Sequence, residues 1–404
     1  MTHALLARQP IFDRKLRVFA YELLYRPGDE ENSGSGKVEF DGDHATSTVI
    51  MNTFSDIGID KVLGNNIAFI NFTYDLLVKG LHETLPKEKI VIEILEDLQM
   101  DEKLYESVKQ LANQGFTIAL DDFVLREELR PLVELADIIK IDVLGKSFEA
   151  IAQEVKQLKG YKLSLLAEKI EDHAMLNYCK ELGFEYFQGY FLSKPIIIRG
   201  KKIGTNQMVT LRLLSELQRE DIEITDIEKI LSQDGGLIYK LLKLINAAAY
   251  GLPRKIESLR EAVVRLGLNN IRNWSTLIAL STIENKPKEL IVLGMTRAKM
   301  CEILASQLKA NNVNSYFTLG LFSVLDAMLD LEMPTLLEEL PLTLEMNKAL
   351  LQFEGPMGEL LKNIIAYEQG QWSAVDFSKI NDETYQAAYV SGAGWANDTC
   401  GALK

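Results

Sequence analysis

The first half of the chain alternates short β-type apolar runs with stretches whose apolar positions recur at helical spacing. Leu5–Asp13 and Arg17–Arg26 read as adjacent strands joined by a tight basic turn. Asp29–Gly42, rich in Gly, Asp, Glu and Ser, reads as a solvated loop, and Ala45–Ile57 has helical spacing. Strand-like runs follow at Ile67–Phe72, Ile90–Leu95, Thr117–Phe123, Ile138–Val143, Ser164–Ile170 and Tyr186–Leu192. Between them lie helical segments such as Asp101–Gln114, Arg126–Ala136, Phe148–Lys159 and His173–Leu182. This βα repetition, at the length of one barrel, predicts an α/β fold of the TIM-like (β/α)8 type over residues 1–198.

The alternation stops at Ile196–Gly204, which reads as a linker, placed at 199–206. From residue 207 to 404 the spacing is helical almost throughout, as in Met208–Leu217, Asp226–Leu231, Leu237–Ala248, Ser258–Leu266, Ile271–Thr282 and Met295–Leu308. A second, all-α domain is predicted there.

Composition narrows the class. The 404 residues are 47% hydrophobic and 25% charged, the profile of a soluble globular protein too long for one ordinary core. No apolar run approaches the roughly 20 residues needed to span a bilayer, and the start lacks the order of a signal peptide. A cytoplasmic protein with no membrane contact is expected. Net charge is −14, divided as −10 over residues 1–200 and −4 over 201–404, so no nucleic-acid partner is expected. Cys179, Cys301 and Cys400 are far apart and odd in number, which fits thiols rather than a disulfide framework or zinc knuckle.

Polar groups recur toward the ends of the predicted strands: Glu22, Asn71, Glu93, Asp121, Asp122, Lys140, Glu168 and Gln188. In a (β/α) barrel such ends converge on one mouth. Four oxygen donors, Glu22, Asn71, Glu93 and Asp121, suit Mg²⁺, Mn²⁺ or Ca²⁺ rather than zinc, and Asp122 is placed to reach a second ion. Two such ions can clamp a phosphodiester, with Lys140 stabilising charge on phosphorus or orienting a water, and Glu168 and Gln188 holding metal or water. Phosphodiester hydrolysis is a coherent use of the set.

These residues sit in an ordered series of motifs: Gln9-Pro10-Ile11, Glu22-Leu23-Leu24-Tyr25-Arg26, Asn71-Phe72-Thr73, Glu93-Ile94-Leu95-Glu96, Asp121-Asp122-Phe123, Lys140-Ile141-Asp142, Glu168-Lys169-Ile170-Glu171 and Gln188-Gly189-Tyr190, closing at Ser193-Lys194-Pro195. The series resembles the EAL domain, the phosphodiesterase family that linearises cyclic di-GMP. The resemblance implies metal ligation by Glu22, Asn71, Glu93 and Asp121, with Asp122 serving a second metal. It implies a catalytic role for Lys140, with Glu168 and Gln188 completing the metal and water shell, and ligand contacts from Gln9, Arg26, Asp142 and Glu171. It implies Mg²⁺ or Mn²⁺ as cofactor, with Ca²⁺ bound but not supporting catalysis, and a homodimer through the EAL domain.

Departures from the family pattern bear on activity. Leu23 stands for a small Ala, Val124 for a Gly, and the family's Gly-rich loop is replaced by Val-Leu-Arg-Glu-Glu-Leu at 124–129. Asp121 and Lys140 are 19 residues apart, closer than in the active pattern, and Lys169 replaces another Gly. Glycines permit backbone angles that Val and Leu reach only at a cost. Two readings therefore stand: a metal-dependent cyclic di-GMP phosphodiesterase, and a degenerate domain that acts in sensing or interaction without turnover.

In the second half, Leu241–Asn246, Tyr250-Gly251-Leu252-Pro253, Ile256–Val263, Leu266-Gly267-Leu268 and Ile271–Trp274 resemble the HDOD domain, a helical relative of HD phosphohydrolases. The four histidines are His3, His44, His82 and His173, so none falls in this half. Ser323-Val324 stands where the metal-binding His-Asp pair would be. A regulatory or binding role, through an unidentified protein partner, is implied. Arg254, Lys255, Arg260, Arg265 and Arg272 outnumber Glu257 and Glu261, and read either as a partner face or as an ion-paired solvated surface.

Overall fold

The computed structural model describes residues 4–27, 63–64, 66–79, 85–95, 98, 101–122, 126–190, 205–232, 235–247, 255–283 and 286–402. The loop and helix read over Asp29–Gly42 and Ala45–Ile57 lie outside these residues, as do Ile196–Gly204, Tyr250-Gly251-Leu252-Pro253 and Arg254. The chain divides into two compact units, Met1–Phe191 with Glu368–Gly370, and Leu192–Tyr367 with Gln371–Lys404.

The first unit is a closed eight-stranded barrel: β1 (Ala4–Asp13), β2 (Val18–Pro27), β3 (Ile67–Phe72), β4 (Ile90–Ile94), β5 (Thr117–Leu120), β6 (Ile138–Asp142), β7 (Ser164–Glu168) and β8 (Tyr186–Gln188). From β2 to β8 neighbouring strands run parallel, but β1 is antiparallel to both β2 and β8. The departure from an all-parallel barrel begins at the turn between β1 and β2. Asp13 Oδ1 accepts from the backbone N–H groups of Lys15 and Arg17 at 2.8 and 2.9 Å, and Leu16 takes a left-handed φ of 57°. The chain doubles back there with no helix between the strands, so the pair can only be antiparallel.

Helices α1 (Tyr74–Lys79), α2 (Glu102–Gln114), α3 (Arg130–Val133), α4 (Phe148–Gln157) and α5 (His173–Leu182) follow successive strands. Asp101 and Asp172 cap α2 and α5 by accepting from Leu104 N and Met175 N, both at 2.8 Å. The long helix expected over Arg126–Ala136 is instead a 3-10 turn, Glu127–Leu129, and the single turn α3. Pro131 has no backbone N–H and fits only a first helical turn, so a continuous helix through it is disfavoured.

Alternation along each strand sorts the barrel interior into layers. Ile11, Ala20, Phe69, Val91, Ala119, Ile138 and Leu166 form one fully buried apolar layer. One inward step nearer the strands' C-terminal ends come Glu22, Asn71, Glu93, Asp121, Lys140 and Glu168. On the reversed β1 the same step leads back from Ile11 to Gln9, which lies opposite Glu22.

Strands expected over Thr117–Phe123 and Tyr186–Leu192 end earlier, at Leu120 and Gln188. Asp122 has a left-handed φ of 41°, which turns the chain out of the sheet. Gly189 (φ 146°) follows Gln188, and a Cβ there would lie 2.2 Å from the Ile170 carbonyl oxygen. Only glycine lets β8 end this close to the segment after β7.

The second unit comprises α6 (Thr205–Leu217), α7 (Ile224–Leu231), α8 (Gly235–Ala247), α9 (Leu259–Leu266), α10 (Leu268–Ser281), α11 (Lys288–Gln307), α12 (Val313–Phe322), α13 (Leu325–Leu329), α14 (Met333–Glu339), α15 (Leu344–Gln352), α16 (Gly355–Glu368) and α17 (Asp382–Ala402). The first of these begins inside the stretch read as linker, because Thr205 and Asn206 already have helical backbone. A core of leucine and isoleucine from α6 to α10 includes Trp274, whose ring lies 5.5 Å from that of Trp395 on α17. Gly320 on α12 would carry a Cβ within 2.6 Å of the Arg297 carbonyl on α11, so glycine permits the backbone contact of this pair. Among the described residues no helix is long and apolar enough to cross a membrane.

Gly189→Ala should lower unfolding stability by about 3 kcal/mol, the combined effect of a positive φ and a backbone clash. Urea denaturation of the full chain checks this.

Candidate functional site

The layer above the apolar floor carries an unusual charge. Lys140, projecting inward from β6, is fully buried. Its Nζ lies 2.6 Å from Glu93 Oε1, 2.7 Å from Asp121 Oδ1, 2.8 Å from Glu168 Oε1 and 3.6 Å from Glu22 Oε2. Four strands around the barrel thus aim carboxylates at one ammonium. Gln188 Nε2 donates to Glu22 Oε2 at 2.7 Å and joins β8 to the ring.

One cation cannot neutralise this set. Burial pushes the Glu93 carboxyl well above the usual range, and Lys140 offsets this only in part, while Glu22 and Asp121 add to it. Burial likewise raises Glu168 to about 8, against the pull of Lys140. For Lys140 burial disfavours the charged form, but Glu22, Glu93, Glu168 and Asp121 together drive its pKa well above that of an ordinary lysine.

Several oxygens in this layer have no donor. Asn71 Oδ1, Glu93 Oε2, Asp122 Oδ1 and Gln188 Oε1 are buried without a hydrogen-bond partner. Unsatisfied buried acceptors facing excess negative charge are the donor chemistry of a hard divalent cation. In type, therefore, Glu22, Asn71, Glu93, Asp121 and Asp122 fit a Mg²⁺, Mn²⁺ or Ca²⁺ ion. Among the described residues no three His, Cys, Asp or Glu side chains already surround one point that an ion can take. Lys140 holds the centre, so an ion taken up here would need carboxylates to turn away from it.

The remaining predicted residues divide. Gln9 borders the ring through its pairing with Glu22. Asp142 pairs with Glu168 in register at the ends of β6 and β7. Glu171 is exposed and is not among the carboxylates within 4 Å of Lys140. The Arg26 side chain and residues 123–125 of the remodelled loop lie outside the described residues.

Lys169 is the residue whose part the motif reading missed. Its Nζ lies 2.6 Å from Asp142 Oδ2 and 3.2 Å from Asp122 Oδ2. Although partial burial works against the charge, the hydrogen bond to Asp142 and the Asp122 carboxylate hold its pKa above the ordinary lysine value. The signal in the sequence was a cation standing where the family motif has glycine.

In the helical unit, Ser323 donates to the Gly320 carbonyl at 2.7 Å and accepts from Arg297 Nη1 at 3.1 Å. Val324 is buried. A guanidinium and an apolar side chain thus sit at the place of the His-Asp pair, and among the described residues no cluster of His, Cys, Asp or Glu that could hold a metal lies there. The basic surface is at least partly ion-paired: Arg260 with Glu228 at 3.4 Å and Arg265 with Glu261 at 2.8 Å. None of the three cysteines forms a disulfide.

Comparison with known proteins bears on both units. The EAL domain model matches residues 71–195 and the HDOD domain model matches 203–350. The cyclic di-GMP phosphodiesterase CdgJ of Vibrio cholerae serotype O1 is 34% identical over 375 residues, 92% of this chain and 86% of that protein. The uncharacterized protein YuxH of Bacillus subtilis is 34% identical over 404 residues, 97% of this chain and 98% of its own. A crystal structure of a standalone EAL protein from Vibrio cholerae O395, with c-di-GMP bound, aligns at 24% identity and a TM-score of 0.36, covering 47% of this chain and 90% of that one.

Two outcomes follow from the buried charge. Glu93 and Glu168 hold protons in the folded protein that they release near pH 4.3 when unfolded. The folded state therefore binds more protons, and metal-free stability should fall as pH rises from about 4.5 to 8. Lys140 stays protonated in both states over this range and leaves the sign unchanged. Lys140→Met should cost about 3–5 kcal/mol at pH 8 by leaving the carboxylates unpaired, and less at pH 5. Urea denaturation in chelator across this range checks both.

Proposed function

The chain belongs to the family of proteins that join an EAL domain to an HDOD domain, and on that premise we propose that its barrel binds cyclic di-GMP and a divalent cation and hydrolyses the dinucleotide to linear pGpG. The observation that carries this reading is the ring of inward-facing oxygen donors around Lys140, immediately above an apolar floor. Such a ring is a poor structural core, because its like charges and unpaired acceptors disfavour folding. It is a good receptor for positive charge and for the phosphodiester that such charge attracts.

Glu22, Asn71, Glu93 and Asp121 would hold the cation, with Asp122 at the edge, and the ion, Mg²⁺ or Mn²⁺, would supply Lewis acidity toward phosphorus and an acidified water. Gln9 and Arg26 would bind the phosphates, and Asp142 and Glu171 would border the ligand. Lys140 stabilises the charge that builds on phosphorus, and Glu168 and Gln188 hold the attacking water. Ca²⁺ would occupy the same oxygens without supporting turnover. With the cation present the carboxylates ionise fully, so affinity for it should rise with pH through the range in which Glu168 titrates.

A second reading, binding without turnover, is favoured by one observation: Lys169 already closes on Asp122 and Asp142. In either case the helical unit acts by contact with an unidentified protein or as a regulator of the barrel, since it has no histidine with which to build a hydrolase. This reading carries with it a cytoplasmic location, a homodimer through the barrel, and neither membrane nor nucleic acid as partner.

Purified protein incubated with cyclic di-GMP and Mg²⁺ or Mn²⁺ should release linear pGpG, detected by chromatography. Glu22→Ala should reduce the rate at least 100-fold, the scale of losing a group that acts in the transition state. In Ca²⁺ the dinucleotide should bind intact. Binding without product in any metal selects the second reading, and neither binding nor product rejects both.

A further inference from the structure

Lys169 draws no explanation from the chemistry above. It follows β7, and its ammonium bridges carboxylates that follow β5 and end β6, so three successive strands meet at one cation. We propose that the Lys169 ammonium takes the place of a second divalent cation on the Asp122–Asp142 pair, so that this mouth takes up one metal ion rather than two. The inference rests on the reading of the mouth as a divalent-cation site and adds how many ions it holds.

Three observations support it. First, the distances are those of direct contact: 2.6 Å to Asp142 Oδ2 and 3.2 Å to Asp122 Oδ2. A second ion bound by Asp122 must compete with a fixed positive charge that cannot diffuse away. Second, both ends of the Asp122 contact have left-handed backbone, with φ of 41° at Asp122 and 55° at Lys169. Aspartate tolerates that region, lysine does not favour it, and glycine would take it without strain. The strained backbone is therefore joined by the very ion pair that neutralises Asp122. Third, Asp122 Oδ1 is buried with no hydrogen-bond partner. With Lys169 on Oδ2 the carboxylate's charge is already shared with an ammonium, so Oδ1 alone is a weak ligand for a second ion.

The charge pattern agrees. Lys140 serves the inner carboxylates and Lys169 the outer pair. Asp122 and Asp142 share one ammonium and retain only one net negative charge with which to hold a divalent ion.

The test is a Mn²⁺ titration of the full chain without nucleotide, with free Mn²⁺ read from its electron paramagnetic resonance signal. Four proteins are compared: wild type, Lys169→Gly, Lys169→Met and Lys169→Arg. Glycine suits the left-handed backbone, so that variant folds without strain. Methionine keeps the stem and the strain but removes the charge, and arginine keeps the charge. Wild type and Lys169→Arg should bind one equivalent. The glycine and methionine variants should bind two, the second at least tenfold tighter than any further Mn²⁺ on wild type, with the spectral broadening of two neighbouring Mn²⁺ ions. Two equivalents on wild type, or one on both the glycine and methionine variants, overturns the inference and leaves the proposed function standing. No Mn²⁺ on any of the four overturns the metal reading itself, and the inference with it.

Discussion

The ammonium of Lys140 is the interaction on which the barrel depends. Glu22, Glu93, Asp121 and Glu168 come from four different strands, and in a closed barrel they are forced toward the same axis. Taking even one such charge out of water is costly unless it is paired. Lys140 makes the arrangement tolerable by standing within ion-pair distance of all four. It does not make it comfortable, as the raised carboxyls of Glu93 and Glu168 record. The barrel trades stability for a concentrated negative field at one depth, and the apolar layer below confines that field to one side.

Much of this was legible in the sequence because both barrel and site follow from alternation. A polar residue two positions past an apolar inward one must lie above it, and Glu22 over Ala20, Asn71 over Phe69 and Lys140 over Ile138 obey this simple rule. What local pattern does not carry is pairing between strands. The hairpin was visible, yet its consequence, a reversed β1 that brings Gln9 to Glu22 by stepping backward, needs register across the barrel. The contacts of Lys169 were hidden for the same reason: its partners lie 27 and 47 residues away in sequence. The short α3 could have been anticipated from Pro131.

The helical unit was read chiefly by subtraction, and its interior gives that subtraction a physical form. Removing histidines from a metal-binding fold leaves a polar gap that must be refilled. Here Arg297 reaches Ser323, and Val324 contributes to the apolar core. Elsewhere, buried Gln218 donates to Thr276 at 3.1 Å, and Ser275 donates to the Ile271 carbonyl at 2.7 Å. Helix α10 is buried along most of its length and packs against α6, α7, α8, α9 and α12.

The apolar floor also governs traffic. Ile11, Ala20, Phe69, Val91, Ala119, Ile138 and Leu166 seal the barrel directly beneath the charged ring, and each is almost wholly shielded from solvent. Whatever arrives at the ring and whatever departs from it must use the same opening, one after the other. Under the proposed hydrolysis, a product that lingers is also an obstacle to its successor, so its dwell time sets an upper limit on how often the mouth can be used.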